Sequence, residues 1–224
     1  MSFDLPATYR TTRERLTPFI VGLDEKALRT PVPATPLWSI QDLFAHLTGV
    51  ASDVVTGRMD GAVSPVWTQR QVDERRDRSI TEIADEWSDL GPRVETLLGE
   101  VGAPMSATVM DVWMHEHDVY GALGVRPHRD GEGLRLCLRA ANAIGPRLDS
   151  VGLPTLRLQT DGYDRTVGNG EAGITVGGDP FEIARALFGR RSARQIAAFD
   201  WSDDSDLYVT LFSVFEPRET DLVE

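Results

Sequence analysis

Four histidines occur in the chain, and one block, Asp111-Val112-Trp113-Met114-His115-Glu116-His117-Asp118, sets two of them among carboxylates. On a helix that turns about 100° per residue, Asp111 and His115 lie roughly 40° apart and one turn from each other. Asp118, Thr108 and Ala122 share that face. A carboxylate and an imidazole at i and i+4 let one helix offer two ligands to a metal ion. Val112 and Val119 flank the same stripe, so its polar groups sit in apolar surroundings where an unpartnered carboxylate is costly. A third ligand must come from another helix. His46, mid-helix among Leu43, Leu47 and Val50, is the best placed. Three protein ligands leave open positions for water or substrate, the arrangement of a catalytic metal site.

Other readings of these residues compete. On a strand, His115 and His117 would point the same way as a His-x-His pair. Residues 105–123 carry no turn signal and few β-branched residues, which favours a helix. No His-Glu-x-x-His motif is present. On periodicity alone, the alternative that the histidines are merely hydrogen-bonded core or surface groups stays open. His117, Trp113 and Tyr120 fall on the opposite face, as expected of a helix packed on both sides. His128 follows Pro127 in a loop and is expected at the surface, and Cys137 reads as a buried, inert thiol.

The elements that must position these residues are legible. A first helix spans about 4–24, followed by an extended proline-rich connection, Thr30 to Pro36. Ser39 caps a second helix to about Gly57, with Asp42 completing a capping box and Trp38 placed to staple onto Leu43. A third helical region covers about 68–98, bent or interrupted at Gly91-Pro92. A fourth runs from about 105 to 123 and closes at Gly124, and a fifth spans about 131–149. Beyond Gly152-Leu153-Pro154, Leu156–Leu158, Tyr163–Val167 and Ile174–Val176 read as strands, the first two joined at Asp161-Gly162. Asp179-Pro180 opens a helix that Gly189 stops, Ser192 and Gln195 form another capping box, and 207–212 alternates like a last strand. The expected fold class is mostly α with a small α+β part, divided into residues 1–151 and 152–224.

Acidic residues outnumber basic ones by 35 to 23, a net charge of −12, and Lys26 is the single lysine. Such a balance excludes the basic footprint that nucleic acid or an anionic membrane surface requires. No apolar run is long enough to span a bilayer. The start lacks a secretory profile and the lone cysteine excludes an intrachain disulfide, so a cytoplasmic location is expected.

Trp38-Ser39-Ile40-Gln41-Asp42-Leu43-Phe44-Ala45-His46-Leu47 resembles the second-helix signature of the mycothiol-dependent maleylpyruvate isomerase family, one of the DinB-like metal-binding bundles. The stretch from Asp111 to Gly124 resembles its fourth-helix signature, and Val176–Pro180 with Leu187–Arg191 resembles its small sterol-carrier-like domain. The resemblance implies a DinB-like four-helix bundle with a C-terminal α+β domain. It implies a divalent metal, zinc ahead of nickel, iron or manganese, on His46, Asp111 and His115. Where the isomerase has glutamate, this chain has aspartate at 111. It further implies mycothiol as thiol cosubstrate, bound to the metal as thiolate and attacking a small electrophilic substrate. Asp118, Arg190 and Arg191 complete the candidate catalytic set: Asp118 to orient a ligand or cap an arginine, the arginines to hold carboxylates. The expected activity is that of a thiol transferase or isomerase, acting as monomer or homodimer. The alternative is a non-catalytic metal- or small-ligand-binding protein on the same scaffold.

Overall fold

The computed structural model describes residues 3–224. Two compact units divide the chain, one of residues up to Pro127 together with Glu224, the other His128–Val223. The division lies at 127/128 rather than the expected 151/152. The reason is packing: the helix that follows His128 lies against the helix opened by Asp179, within the second unit.

The first unit contains α1 (Leu5–Val21), the short α2 (Glu25–Leu28), β1 (Pro31–Val32), β2 (Thr35–Ser39), α3 (Ile40–Thr56), α4 (Pro65–Asp73), α5 (Ile80–Val101) and α6 (Ser106–Ala122). The four long helices close a ring, α1 against α5 and α6, and α3 against α5 and α6. Its core is filled by Tyr9, Leu16, Ile20, Phe44, Leu47, Trp87, Val94 and Val109, all buried. The proline-rich connection is extended as expected and pairs as an antiparallel β1–β2 ribbon.

The third helical region is two helices. Ser64 caps α4 with Pro65 in its first turn, and Ser79 caps α5 through a reciprocal box with Glu82. At Gly91-Pro92 the helix runs on uninterrupted. A Cβ on Gly91 would stand 2.4 Å from Arg13 Nε, so this glycine lets the arginine lie against the helix.

The second unit contains α7 (Gly131–Leu138), α8 (Gly145–Val151), β3 (Leu156–Thr160), β4 (Tyr163–Val167), β5 (Ile174–Gly177), α9 (Pro180–Leu187), α10 (Ala193–Ala197), β6 (Asp200–Trp201) and α11 (Asp206–Val209). The expected fifth helix is thus broken into α7, a 3-10 turn over Arg139–Ala143, and α8, which starts at Gly145-Pro146. The sheet order is β4-β3-β5-β6, with β3 antiparallel to β4, parallel to β5, and β5 antiparallel to β6. Thr160 pairs with Tyr163 across Asp161-Gly162, where Gly162 has φ +73°. The expected last strand is instead the helical turn α11. Tyr208, Val209 and Phe212 are buried while Leu207 is 66% exposed, a helical spacing that overrides the apparent alternation.

Candidate metal centre

The second helix forms as its caps dictate. Asp42 N–H donates to Ser39 Oγ at 3.2 Å, Ser39 N–H donates to Asp42 Oδ2 at 3.0 Å, and Gly57 closes the helix with φ +73°. This sets His46 in mid-helix, 3% exposed between Leu43, Leu47 and Val50. From α6 come Asp111 and, one turn later, His115. One ligand atom from each of His46, Asp111 and His115 falls within 4.8 Å of the others. His46 Nε2 is 3.7 Å from Asp111 Oδ2, and His115 Nε2 is 3.5 Å from Asp111 Oδ1. The two imidazoles stand nearly perpendicular, 82° between planes with centroids 5.2 Å apart.

The donor chemistry fits a divalent ion. Each histidine uses Nδ1 outward: His46 Nδ1 lies 2.7 Å from Gln71 Oε1, and His115 Nδ1 lies 2.8 Å from Asp118 Oδ2. An imidazole that donates from Nδ1 presents the lone pair of Nε2 to the centre. Tetrahedral zinc with bonds of about 2.0–2.1 Å places its ligand atoms about 3.4 Å apart, close to the observed Nε2-to-carboxylate spacings. Asp111 is partly open, its side chain 33% exposed, so the group is reachable from one side.

Trp38, read from the sequence as a staple on Leu43, has its ring over the cluster, 4.9 Å from the His46 ring and 6.5 Å from that of His115. Its indole N–H donates to Gln69 Oε1 at 3.2 Å. Trp67 meets the His46 ring edge-on, with centroids 6.5 Å apart. Trp67 and Gln71 carry no signal of their own in the sequence. The only available signal for Gln71 was a polar residue in an amphipathic helix of a region read as one continuous element.

The opposite face of α6 is buried too. Glu116 accepts both Nε and a terminal nitrogen of Arg15 at 2.5 Å and the Tyr120 hydroxyl at 3.1 Å. His117 packs between Trp113 and Tyr120, at 4.3 and 5.8 Å. These groups hold α6 in place and so fix Asp111 and His115. In the second unit, Arg191 is buried, donating to Glu182 Oε2 at 2.6 Å and to the Arg190 carbonyl, and Arg190 donates to the Phe188 carbonyl at 2.8 Å. Cys137 is fully buried, as expected, and burial pushes its thiol well above the ordinary range.

No helix among the described residues is long and apolar enough to cross a membrane. No curated protein sequence matches the chain. Two solved structures do. A crystal structure of the mycothiol-dependent maleylpyruvate isomerase, as a histidine-to-alanine mutant, matches with a TM-score of 0.61 at 15% identity, covering 97% of this chain and 99% of that one. A second crystal structure of the isomerase matches with a TM-score of 0.56, again at 15% identity, covering 97% of this chain and 99% of that one. At that identity the likeness speaks for the fold, which agrees with a mostly helical chain carrying a small α+β part. The family described as "Mycothiol maleylpyruvate isomerase N-terminal domain" matches residues 9–120, which run from within α1 to within α6 and include every member of the His46, Asp111 and His115 cluster. The chain belongs to the mycothiol maleylpyruvate isomerase family.

Proposed function

We propose that this protein is a metal-dependent thiol transferase or isomerase that uses mycothiol, or a closely similar small thiol, against a small electrophilic substrate. The observation that carries this reading is the convergence of His46, Asp111 and His115, with both imidazoles already held through Nδ1. A divalent ion there would hold a thiol and bring its pKa well below the ~8.5 of a free thiol, so that a thiolate is at hand near neutral pH.

The chain's own residues supply the rest. His46, Asp111 and His115 are three ligands in a set that leaves coordination positions open, which suits an entering thiol. Trp38 covers the cluster on one side and limits access of water. Asp118 orients His115. We keep Arg190 and Arg191 as proposed anchors for carboxylates, to be separated from their hydrogen-bonding role inside the second unit.

The test is metal content of protein purified without a histidine tag. About one equivalent of zinc, nickel, iron or manganese in wild type, lost in His46→Ala and His115→Ala, supports the centre. Thiol-dependent turnover of an electrophile, abolished in the same variants while they remain folded, supports the activity. Wild type that takes up no divalent ion overturns both.

A further inference from the structure

His46, Gly49 and Asp53 recur at i, i+3 and i+7 on α3 and so form one stripe along the helix. Gln71 of α4 lies across that stripe. A Cβ on Gly49 would stand 2.4 Å from Gln71 Cβ and 2.7 Å from its Cγ, so only glycine lets the glutamine stem come this close. The amide then bridges two buried groups: Nε2 donates to Asp53 Oδ2 at 2.7 Å, and Oε1 is 2.7 Å from His46 Nδ1. Asp53, its side chain wholly buried, is in turn ion-paired with Arg58 at 2.9 Å and Arg70 at 2.6 Å.

Each link fixes the direction of the next. A carboxylate held by two guanidinium groups only accepts, so the amide must offer it the NH2 end. That leaves the amide oxygen toward His46, where it accepts, and the hydrogen of the imidazole is placed on Nδ1. Nε2 therefore carries the lone pair, and Nε2 is the atom 3.7 Å from Asp111. We propose that Gln71 is a positioning residue that, through the Arg58/Arg70–Asp53–Gln71 relay, locks the tautomer and ring orientation of His46. The docking of α4 on α3, with Trp67 and Val72 also buried, delivers one amide to Nδ1 of one imidazole.

The tautomer follows from the Asp53, Gln71 and His46 side chains alone; its effect on metal affinity rests on the proposed metal centre, and the two are read separately. In metal-free wild type, a long-range proton–nitrogen correlation spectrum of the imidazoles is expected to show His46 protonated at Nδ1 and bare at Nε2. Gln71→Leu, which keeps bulk and removes both bonds, is expected to convert that signature to a tautomeric mixture. In competition with a zinc chelator it is expected to bind zinc about 10–100-fold more weakly. Asp53→Asn, whose amide no longer dictates which end of Gln71 it meets, is expected to show the same spectral change to a smaller degree. Should Gln71→Leu not fold, the wild-type spectrum and Asp53→Asn decide the matter. His46 protonated at Nε2 in wild type, or an unchanged His46 spectrum in folded Gln71→Leu, overturns the relay. Wild type that binds no zinc but shows the expected spectra supports the relay and overturns the metal centre alone.

Discussion

His115 Nδ1 and Asp118 Oδ2 are 2.8 Å apart, one turn of α6 from each other, and both side chains are buried. Behind His46 the same position is taken by the neutral amide of Gln71. The two imidazoles are thus held by unlike acceptors, a carboxylate and an amide, and a carboxylate raises the donor strength of the ring it holds.

Asp118→Asn keeps the shape and an accepting oxygen but removes the charge behind His115. It is expected to weaken zinc binding about tenfold. Chelator competition measures the affinity, and thermal unfolding checks that the fold is intact. Unchanged affinity would show that Asp118 serves packing alone.

Asp111 is the most accessible member of the cluster, half-buried with its side chain 33% exposed. Asp111→Ala is expected to change stability by about 1 kcal/mol, the ordinary effect of a point substitution at a half-buried position. Its loss of metal is expected to exceed the about 10–100-fold of an outer-shell change. Asp111→Glu restores a carboxylate and is expected to retain the ion. Metal analysis of the two variants, beside a thermal melt, separates ligand loss from unfolding.

Glu182 sits under two opposed influences. Burial raises its carboxyl, but the hydrogen bond and charge of Arg191, with the charges of Arg129 and Arg185, outweigh burial and hold it below the ordinary range. A carboxyl depressed on folding contributes stability above its unfolded value of about 4.3, and that contribution is lost as pH falls through the lower folded value. Arg191→Met is expected to cost about 1–2 kcal/mol at neutral pH, the low end of the about 1.5–3 kcal/mol of a hydrogen bond to a charged group, because the Glu182 side chain is 35% exposed and screened by solvent. In thermal melts this is a drop of about 2–4 °C per kcal/mol, shrinking toward acid pH below about 4. A fall in turnover with an unchanged melting temperature would instead favour Arg191 as a carboxylate anchor.

Cys137 is expected to resist thiol reagents in the folded protein and to react once denatured, because it is fully buried and burial holds the thiol protonated. A colorimetric thiol assay with and without denaturant reads this directly. Rapid labelling of native protein would mean that the second unit opens around α7.

Local chemistry made most elements legible in advance. Ser39 with Asp42, Ser192 with Gln195, and Asp179 before Pro180 are start signals whose bonds form within three residues, so no distant partner is needed to read them. The errors fall where the decision is not local. Residues 68–98 look continuous by apolar spacing, yet Ser79 starts a new helix there. Residues 207–212 alternate like a strand, yet among the described residues no strand pairs with them, and burial of Tyr208, Val209 and Phe212 selects a helical turn.

The sequence by itself determined that Asp111, His115 and Asp118 share one helical face, because spacing along a helix sets direction without reference to anything else. It also determined that His46 would lie on a helix with an apolar, inward-facing stripe. Only the tertiary structure decided that the two helices cross where His46 Nε2 and His115 Nε2 meet Asp111, that Trp38 covers them, and that Gln71 and Asp53 stand behind His46. Those relations join residues far apart in the chain. They arise from how α3, α4 and α6 pack, with Gly49 admitting Gln71, and no one-dimensional periodicity encodes them.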